Sequence, residues 1–360
     1  MKIMIDINHP AHVHYFRNFI SILQLKKVSF IVTARNDRMI LELLDFFQIE
    51  HICRNTRPKN ILLKPFYLFY SVLFVLKYSL KTKPDFFVGF ASLPVALGSF
   101  LLRRPSIILD DTEHNRINHF LYEKFATLIL TPTCFNHRFS KKQVFFDSFM
   151  ELAYLHLNYF QPENPASDAL YYVSRTILFD ATHDYNIDMT SLRWKMQYLG
   201  LKLSKIYSEL TVNEGSVTNF HPARLHEVLF FAKLYIGEGA TMASESACLG
   251  IPSIYSNKLK VGYLEELKSK YGVLYDLDDF KGEKDLDRLF EIIISSKVEE
   301  PQIMRERICN EKIDITKLLV WLVLDFSFAN ELVKNRIIDR EFVNGIKARY
   351  EACGLDDQLG

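Results

Sequence analysis

A chain of 360 residues with 49% apolar and 24% charged side chains is long enough for two domains and has the balance of a globular protein with a substantial core. A formal net charge of +1 removes the bulk electrostatic case for a nucleic-acid partner. Five cysteines, odd in number and never in Cys-x-x-Cys spacing, indicate neither a disulfide framework nor a zinc site, and reduced thiols fit the cytoplasm.

The first residues go straight into a strand pattern, Ile3 to Ile7 with Asp6 inside it, and no signal peptide is expected before it. The run stops at Asn8-His9-Pro10-Ala11-His12, a loop with a helix start after the proline, and Phe16, Phe19, Ile20 and Leu23 then recur at helical spacing. Ser29 to Thr33 reads as a second strand, Arg38 to Phe47 as a second helix and Glu50 to Cys53 as a third strand. Strand and helix alternating in this way predict a parallel sheet covered on both faces, with ligands gathered at the carboxyl ends of its strands. The loops after Ile7, Phe90, Leu109 and Leu130 are therefore expected to line one cleft. His9, His12 and His14 cluster in and after the first of these loops, but His12 and His14 would diverge on a helix, which argues against a metal. His9 or His12 is a candidate general base or hydrogen-bond donor, the plain alternative being a cap or surface histidine. Asp6 is a further cleft candidate.

From Arg54 to Arg104 nine Lys or Arg stand against a single acidic residue, Asp85, with aromatics threaded throughout. Ile61 to Leu80 is apolar over a length that could cross a bilayer, but Lys64, Pro65, Lys77 and the tyrosines oppose a true span. Two readings stand: a largely buried helix leading into the strand Asp85–Phe90, or a basic, aromatic face resting on anionic lipid. The basic residues lack the clustering of a nucleic-acid patch. The strand Pro105–Leu109 then delivers Asp110-Asp111-Thr112-Glu113-His114, four ionisable residues in five. Carboxylates so placed raise one another's pKa, which makes Asp111 and Glu113 acid–base candidates, although an Asp-Thr pair before a helix is also a common N-cap. Thr127 to Thr131 is another strand, and Asp147 to Pro165 reads as the crossover between domains.

The second half begins with a strand over Leu170–Ser174 that hands over to Arg175, suited to hold a diphosphate in bidentate fashion, and then to Asp180-Ala181-Thr182-His183-Asp184. Val217 to Phe220 leads as a strand to His221-Pro222, a helix start. His183 and His221 are further cleft candidates. The stretch Ile236 to Tyr255 reads as strand, Gly237-x-Gly239 turn, small-residue helix and strand: one βαβ unit. Gly237 and Gly239 would let the backbone approach a phosphate at the helix N-terminus, Thr241 adds a hydroxyl there, and Glu245 stands one turn further in to meet a sugar hydroxyl. An ordinary close-packed strand-to-helix turn is the plain alternative. Lys260 to Tyr271 is a helix, Val273 to Leu277 a strand, Asp276 to Asp279 a solvated turn, and beyond about residue 280 the chain becomes helical.

These motifs together resemble an uncharacterised GT-B-like family, domain of unknown function number 354. The resemblance rests on Asp6-Ile7-x-His9-Pro10-Ala11-His12 with Phe16, on Thr33-Ala34-Arg35 and on Asp110-Asp111-Thr112-Glu113-His114. It continues through Glu151-Leu152-Ala153-Tyr154-Leu155-His156, Asp180 to Asp184, Gly237 to Pro252, and Lys312 to Thr316 with Trp321, nearly the whole chain. The wider resemblance is to UDP-sugar glycosyltransferases and to non-hydrolysing UDP-N-acetylglucosamine 2-epimerases. It implies an α/β fold of two Rossmann-like domains with parallel sheets facing across a cleft, over residues 1–160 and 165–330, and a C-terminal helix over 331–360. It also implies a nucleotide-sugar held mainly by the second domain, with Gly237, Gly239, Thr241 and Arg175 toward the diphosphate and Glu245 toward the ribose. The first loop departs from the Gly-Gly-His pattern of the muropeptide N-acetylglucosaminyltransferase, and the second domain opens without a glycine-rich loop.

The expectation is a metal-independent glycosyltransferase, with no cofactor, that uses a nucleotide-sugar donor, a UDP-sugar, for surface polysaccharide or glycolipid synthesis. His12 or His9 would be its base, its acceptor lipid-linked or glycan, and segment 54–104 its peripheral contact with the inner face of the membrane. A nucleotide-sugar 2-epimerase would instead move protons with Asp111, Glu113 and His183. A catalytically silent nucleotide-sugar-binding protein is the third reading.

Overall fold

The computed structural model describes residues 1–58, 60–163, 170–176, 189–212, 220–295, 300–326 and 337–345. Its first strands and helices alternate: β1 (Lys2–Ile7), α1 (Pro10–Leu25), β2 (Ser29–Arg35), α2 (Arg38–Phe46), β3 (Ile52–Arg54), α3 (Lys64–Thr82), β4 (Phe86–Phe90) and α4 (Leu93–Leu101). They continue with β5 (Ser106–Leu109), α5 (Arg116–Tyr122), β6 (Leu128–Pro132), β7 (Gln143–Phe146) and the short α6 (Leu152–Leu155). The second series is β8 (Tyr171–Arg175), α7 (Thr190–Leu203), β9 (Ser208–Thr211), α8 (Leu225–Phe230), β10 (Tyr235–Gly237), α9 (Ala240–Cys248) and β11 (Ser253–Tyr255). It runs on through α10 (Gly262–Ser269), β12 (Leu274–Asp276), α11 (Glu283–Ile294) and α12 (Pro301–Glu311), after which come α13 (Ile315–Leu324) and β13 (Ile337–Ile338).

The chain divides into two compact units, Met1–Tyr154 with Lys312–Gly360, and Leu155–Glu311. The first is built on a parallel sheet in the order β13-β7-β6-β5-β4-β1-β2-β3, the second on a parallel sheet in the order β12-β11-β10-β8-β9. Strands such as β4 (Phe-Phe-Val-Gly-Phe) are buried at every residue, as a parallel strand covered on both faces requires. Caps set the helix starts. Asp37 accepts from the Met39 N–H of α2 at 3.2 Å, and His9 Nδ1 accepts from the Ala11 N–H of α1 at 3.2 Å, with Pro10 opening that helix.

The return of the chain to the first unit at Lys312 differs from the boundary expected near residue 330, and its cause is bonding to Asp147 and Ser148 of that unit. Lys312 Nζ donates to Asp147 Oδ1 at 2.5 Å, Ile313 N–H to the Asp147 carbonyl at 3.0 Å, and Ser148 Oγ to the Ile313 carbonyl at 2.7 Å. Asp314 then caps α13, almost wholly apolar and buried, which packs on α1. Within the region expected as a C-terminal helix, the described residues 337–345 form β13, paired to β7, and a helical turn over 340–345. In the second unit the buried Arg305 of α12 donates to the carbonyls of Leu155 (3.0 Å) and Phe160 (2.5 Å), tying that unit's first residues to its last helix. Two further expectations change. Helix α3 is not largely buried, since Phe66 is 72% and Phe69 65% exposed, and Asp276 of the supposed solvated turn is buried and pairs with Lys260. The expected strand over Val217–Phe220 lies almost entirely outside the described residues.

Candidate functional site

In the first unit the carboxyl ends of β1, β2, β3 and β4 meet at Asp6. This carboxylate is fully buried and accepts from Arg54 Nη1 at 2.5 Å and Nη2 at 3.4 Å, Thr33 Oγ1 at 2.7 Å, Ser92 Oγ at 2.9 Å and Asn8 Nδ2 at 2.6 Å. A carboxylate held by this many donors fixes the loop that follows β1. In that loop the Asn8 N–H donates to His12 Nδ1 at 3.3 Å, so the neutral ring carries its proton on Nε2. Burial, and then the positive charge of His9, Arg35 and Arg54, holds His12 well below the usual imidazole range. With Nδ1 engaged and Nε2 protonated, His12 has the chemistry of a neutral hydrogen-bond donor and not of a base. His9 is exposed and caps α1.

The loop after β5 separates its carboxylates by role. Asp110 is fully buried and accepts from Tyr122 Oη at 2.6 Å and the Thr112 N–H at 2.8 Å, with His119 Nε2 at 3.3 Å. Glu113 is buried too and anchors the loop after β6, accepting from the Asn136 N–H at 3.1 Å and from Asn136 Nδ2 at 2.8 Å. Asp111 is different. Burial, then the neighbouring charges of Glu151 and Asp110, push its carboxyl well above the usual carboxylate range, against a hydrogen bond from Thr112 Oγ1 at 3.2 Å. A carboxyl raised in this way holds its proton more tightly than a free one, which suits an acid–base role. Glu151 is 2% exposed, and the sequence shows its motif, Glu151 to His156, without marking the glutamate as a site residue.

In the second unit Arg175 ends β8 and hydrogen-bonds through its carbonyl to the Glu238 N–H at 3.1 Å, beside the end of β10. Its Nε is buried and has no hydrogen-bond partner among the described residues. The guanidinium acts electrostatically on Tyr235, whose hydroxyl burial pushes up; that hydroxyl faces the Gly239 amide but closes no well-formed hydrogen bond there. Helix α9 starts at Gly239 with no side-chain cap, leaving its first N–H groups and partial positive charge at the same strand ends, next to Thr241. Gly237 has a cause other than ligand approach. A Cβ there would stand 2.3 Å from Tyr235 Oη and 2.7 Å from the Arg175 carbonyl oxygen, so the glycine makes room for the tyrosine. Gly250, just past α9, has φ +82 and faces the Pro301 carbonyl, which a Cβ would meet at 2.0 Å.

Glu245 is not an open carboxylate: it is 5% exposed, and Oε1 lies 3.1 Å from Nε2 of the buried His226. Glu238, the middle residue of the glycine turn, is fully buried, accepts from Arg193 Nε at 2.8 Å and has its carbonyl bonded to Asn257 Nδ2 at 3.0 Å. Sequence pattern does not mark Tyr235, Arg193 or His226 as site residues, and for Glu238 the one signal is its position inside the turn. His221 is exposed and caps a short helical turn by accepting from the Ala223 N–H at 3.2 Å, apart from this cluster in role. His183 lies outside the described residues. No group of three or more His, Cys, Asp or Glu suited to a metal occurs among the described residues.

Two all-parallel α/β units in one chain define a GT-B-like fold, and solved structures agree with that class. MnaA from S. aureus, in a structure with UDP, is 12% identical with a TM-score of 0.66, covering 94% of this chain and 99% of that one. The UDP-GlcNAc 2-epimerase from Neisseria meningitidis bound to UDP-GlcNAc is 12% identical, with a TM-score of 0.63 over 90% of this chain and all of that one (100%). Spinosyn forosaminyltransferase SpnP is 14% identical, with a TM-score of 0.61 and coverage of 90% and 100%. Identities this low establish the fold alone. A search of curated proteins finds no match. The family model described as "Protein of unknown function (DUF354)" matches residues 1–144, which bears out the family resemblance over that part of the chain.

Proposed function

We propose that the protein is a nucleotide-sugar-dependent enzyme of the GT-B type, acting as a metal-independent glycosyltransferase on a UDP-sugar donor. The observation that carries the proposal is Arg175: a guanidinium without an acidic partner among the described residues, beside the uncapped start of α9 at the ends of β8 and β10. A cation beside a helix start that no side chain caps suits a diphosphate. Thr241 adds a hydroxyl at the helix start, and Glu245, held by His226, would meet the ribose. The structural neighbours that carry UDP or UDP-GlcNAc support the choice of nucleotide. In the first unit Asp111, with Glu151, takes the acid–base role, and His12 donates a hydrogen bond to developing negative charge. The acceptor is lipid-linked or a glycan, in keeping with the aromatic, basic segment 54–104.

The same two acidic residues support a second reading, a 2-epimerase, because a carboxyl that holds its proton tightly and a second acidic group near it could take a proton from a sugar carbon and return one to its opposite face. Incubation with labelled UDP-N-acetylglucosamine separates the two. Turnover that requires a polyprenyl-phosphate or glycan acceptor supports the transferase, whereas C2-epimerised nucleotide-sugar formed without any acceptor replaces it with the epimerase.

A further inference from the structure

We infer that the outer side of the α3–α4–α5 layer is a docking surface for an anionic lipid bilayer. The three helices share one face of the large sheet, and their inner sides meet over Met4, Phe87, Ile108 and Ile129. A surface helix ordinarily pairs one apolar stripe with a polar one. Helix α3 has two apolar stripes. Val72 and Val75 point inward, while Phe66, Phe69, Leu73 and Leu80 follow one another at helical spacing and are 72%, 65%, 48% and 63% exposed. The end of α4 adds Phe100 at 55%, and α5 adds Ile117 at 79%. Single exposed apolar side chains are ordinary; a file of them along most of a 19-residue helix is the mark of an interaction surface.

Charge identifies the occupant. Between Ile61 and Arg104 six basic residues stand against one acidic residue, Asp85, which is itself 3.8 Å from Arg104. Lys77, Lys81 and Lys83 are exposed on or just beyond the same helix. A second copy of the chain would set positive charge on positive charge, whereas an acidic lipid surface complements both the aromatics and the lysines. None of the described helices is long and apolar enough to cross a membrane, so α3 would lie along the interface with its phenylalanines among the acyl chains. The inference does not depend on which reaction the protein catalyses.

The test is sedimentation of the full chain with vesicles of phosphatidylcholine alone or mixed with phosphatidylglycerol, beside its sedimentation-velocity profile in solution. Binding to the mixed vesicles only, weakened by salt, is expected. Phe66→Ser with Phe69→Ser should lower the partition coefficient at least tenfold, as burial of two large apolar side chains implies on the order of 25 cal/mol per Å². Lys77→Gln, Lys81→Gln and Lys83→Gln, which leave the core untouched, should each lower it about fivefold. Circular dichroism checks that every variant is folded. Absence of binding, equal binding to uncharged vesicles, or a dimer in solution that the phenylalanine variants convert to monomer would each overturn the inference.

Discussion

The Asp6–Arg54 pair allows a prediction whose size follows from its contacts. Both side chains are at most 2% exposed, so neither can recover hydration when the other is removed. In Arg54→Met, Asp6 keeps three neutral donors, Thr33 Oγ1, Ser92 Oγ and Asn8 Nδ2, which places the cost near the lower end of the about 3–5 kcal/mol typical of breaking a buried pair. In Asp6→Asn, Arg54 faces no counter-charge and its Nε already lacks a partner among the described residues, so the cost lies near the upper end. The double variant removes both charges, and the two losses should not add: a coupling of about 2 kcal/mol or more is expected. Urea unfolding followed by fluorescence measures it. The chain has two tryptophans, Trp321 in the first unit and Trp194 in the second, so a Trp194→Phe background reports the first unit alone. Strict additivity, or an Arg54→Met cost below about 1 kcal/mol, would mean that this pair does not fix the loop carrying His12.

Asp111→Asn tests the perturbed carboxyl through pH. A carboxyl whose folded pKa is raised contributes stability that is complete below its unfolded pKa and is lost as pH rises through the folded value. The substituted amide cannot ionise, so the variant should melt higher than the wild type at neutral and alkaline pH, with the difference closing in acid; a variant less stable at neutral pH would remove the perturbation. His12 tests the tautomer. Nitrogen-15 spectra of the histidine rings should show His12 protonated at Nε2, bare at Nδ1 and still neutral as pH falls below the ordinary imidazole value of about 6.5. A His12 signal that titrates normally, or carries its proton on Nδ1, would return it to the role of base.

Much of the architecture was legible in local pattern. The alternation of apolar strands with helical spacing, the glycine turn at Gly237 and the carboxylate-rich loop after Leu109 are statements about neighbours in sequence, and the fold keeps them. What escaped depends on distant partners. The two-residue β13 and the edge strand β9, which is mostly exposed, carry too little apolar pattern to announce themselves. The return of α13 to the first unit rests on Lys312 finding Asp147, 165 residues away in sequence. In the candidate site the residue types were visible and their environments were not. His12 reads as a base until Asn8 occupies its Nδ1, Glu245 as an open carboxylate until His226 meets it, and Gly237 as a ligand cradle until the Tyr235 ring fills the space.

In the proposed mechanism the second unit holds a nucleotide diphosphate through Arg175 and the start of α9. Thermal unfolding with graded UDP, GDP and CMP, for the wild type and for Arg175→Met, tests it most directly. A saturable rise in melting temperature with UDP is expected, since a ligand of the folded state must stabilise it, with an affinity about tenfold or more weaker in Arg175→Met. A panel of nucleotides that leaves the melting temperature unchanged, or UDP binding that is indifferent to Arg175, would contradict it.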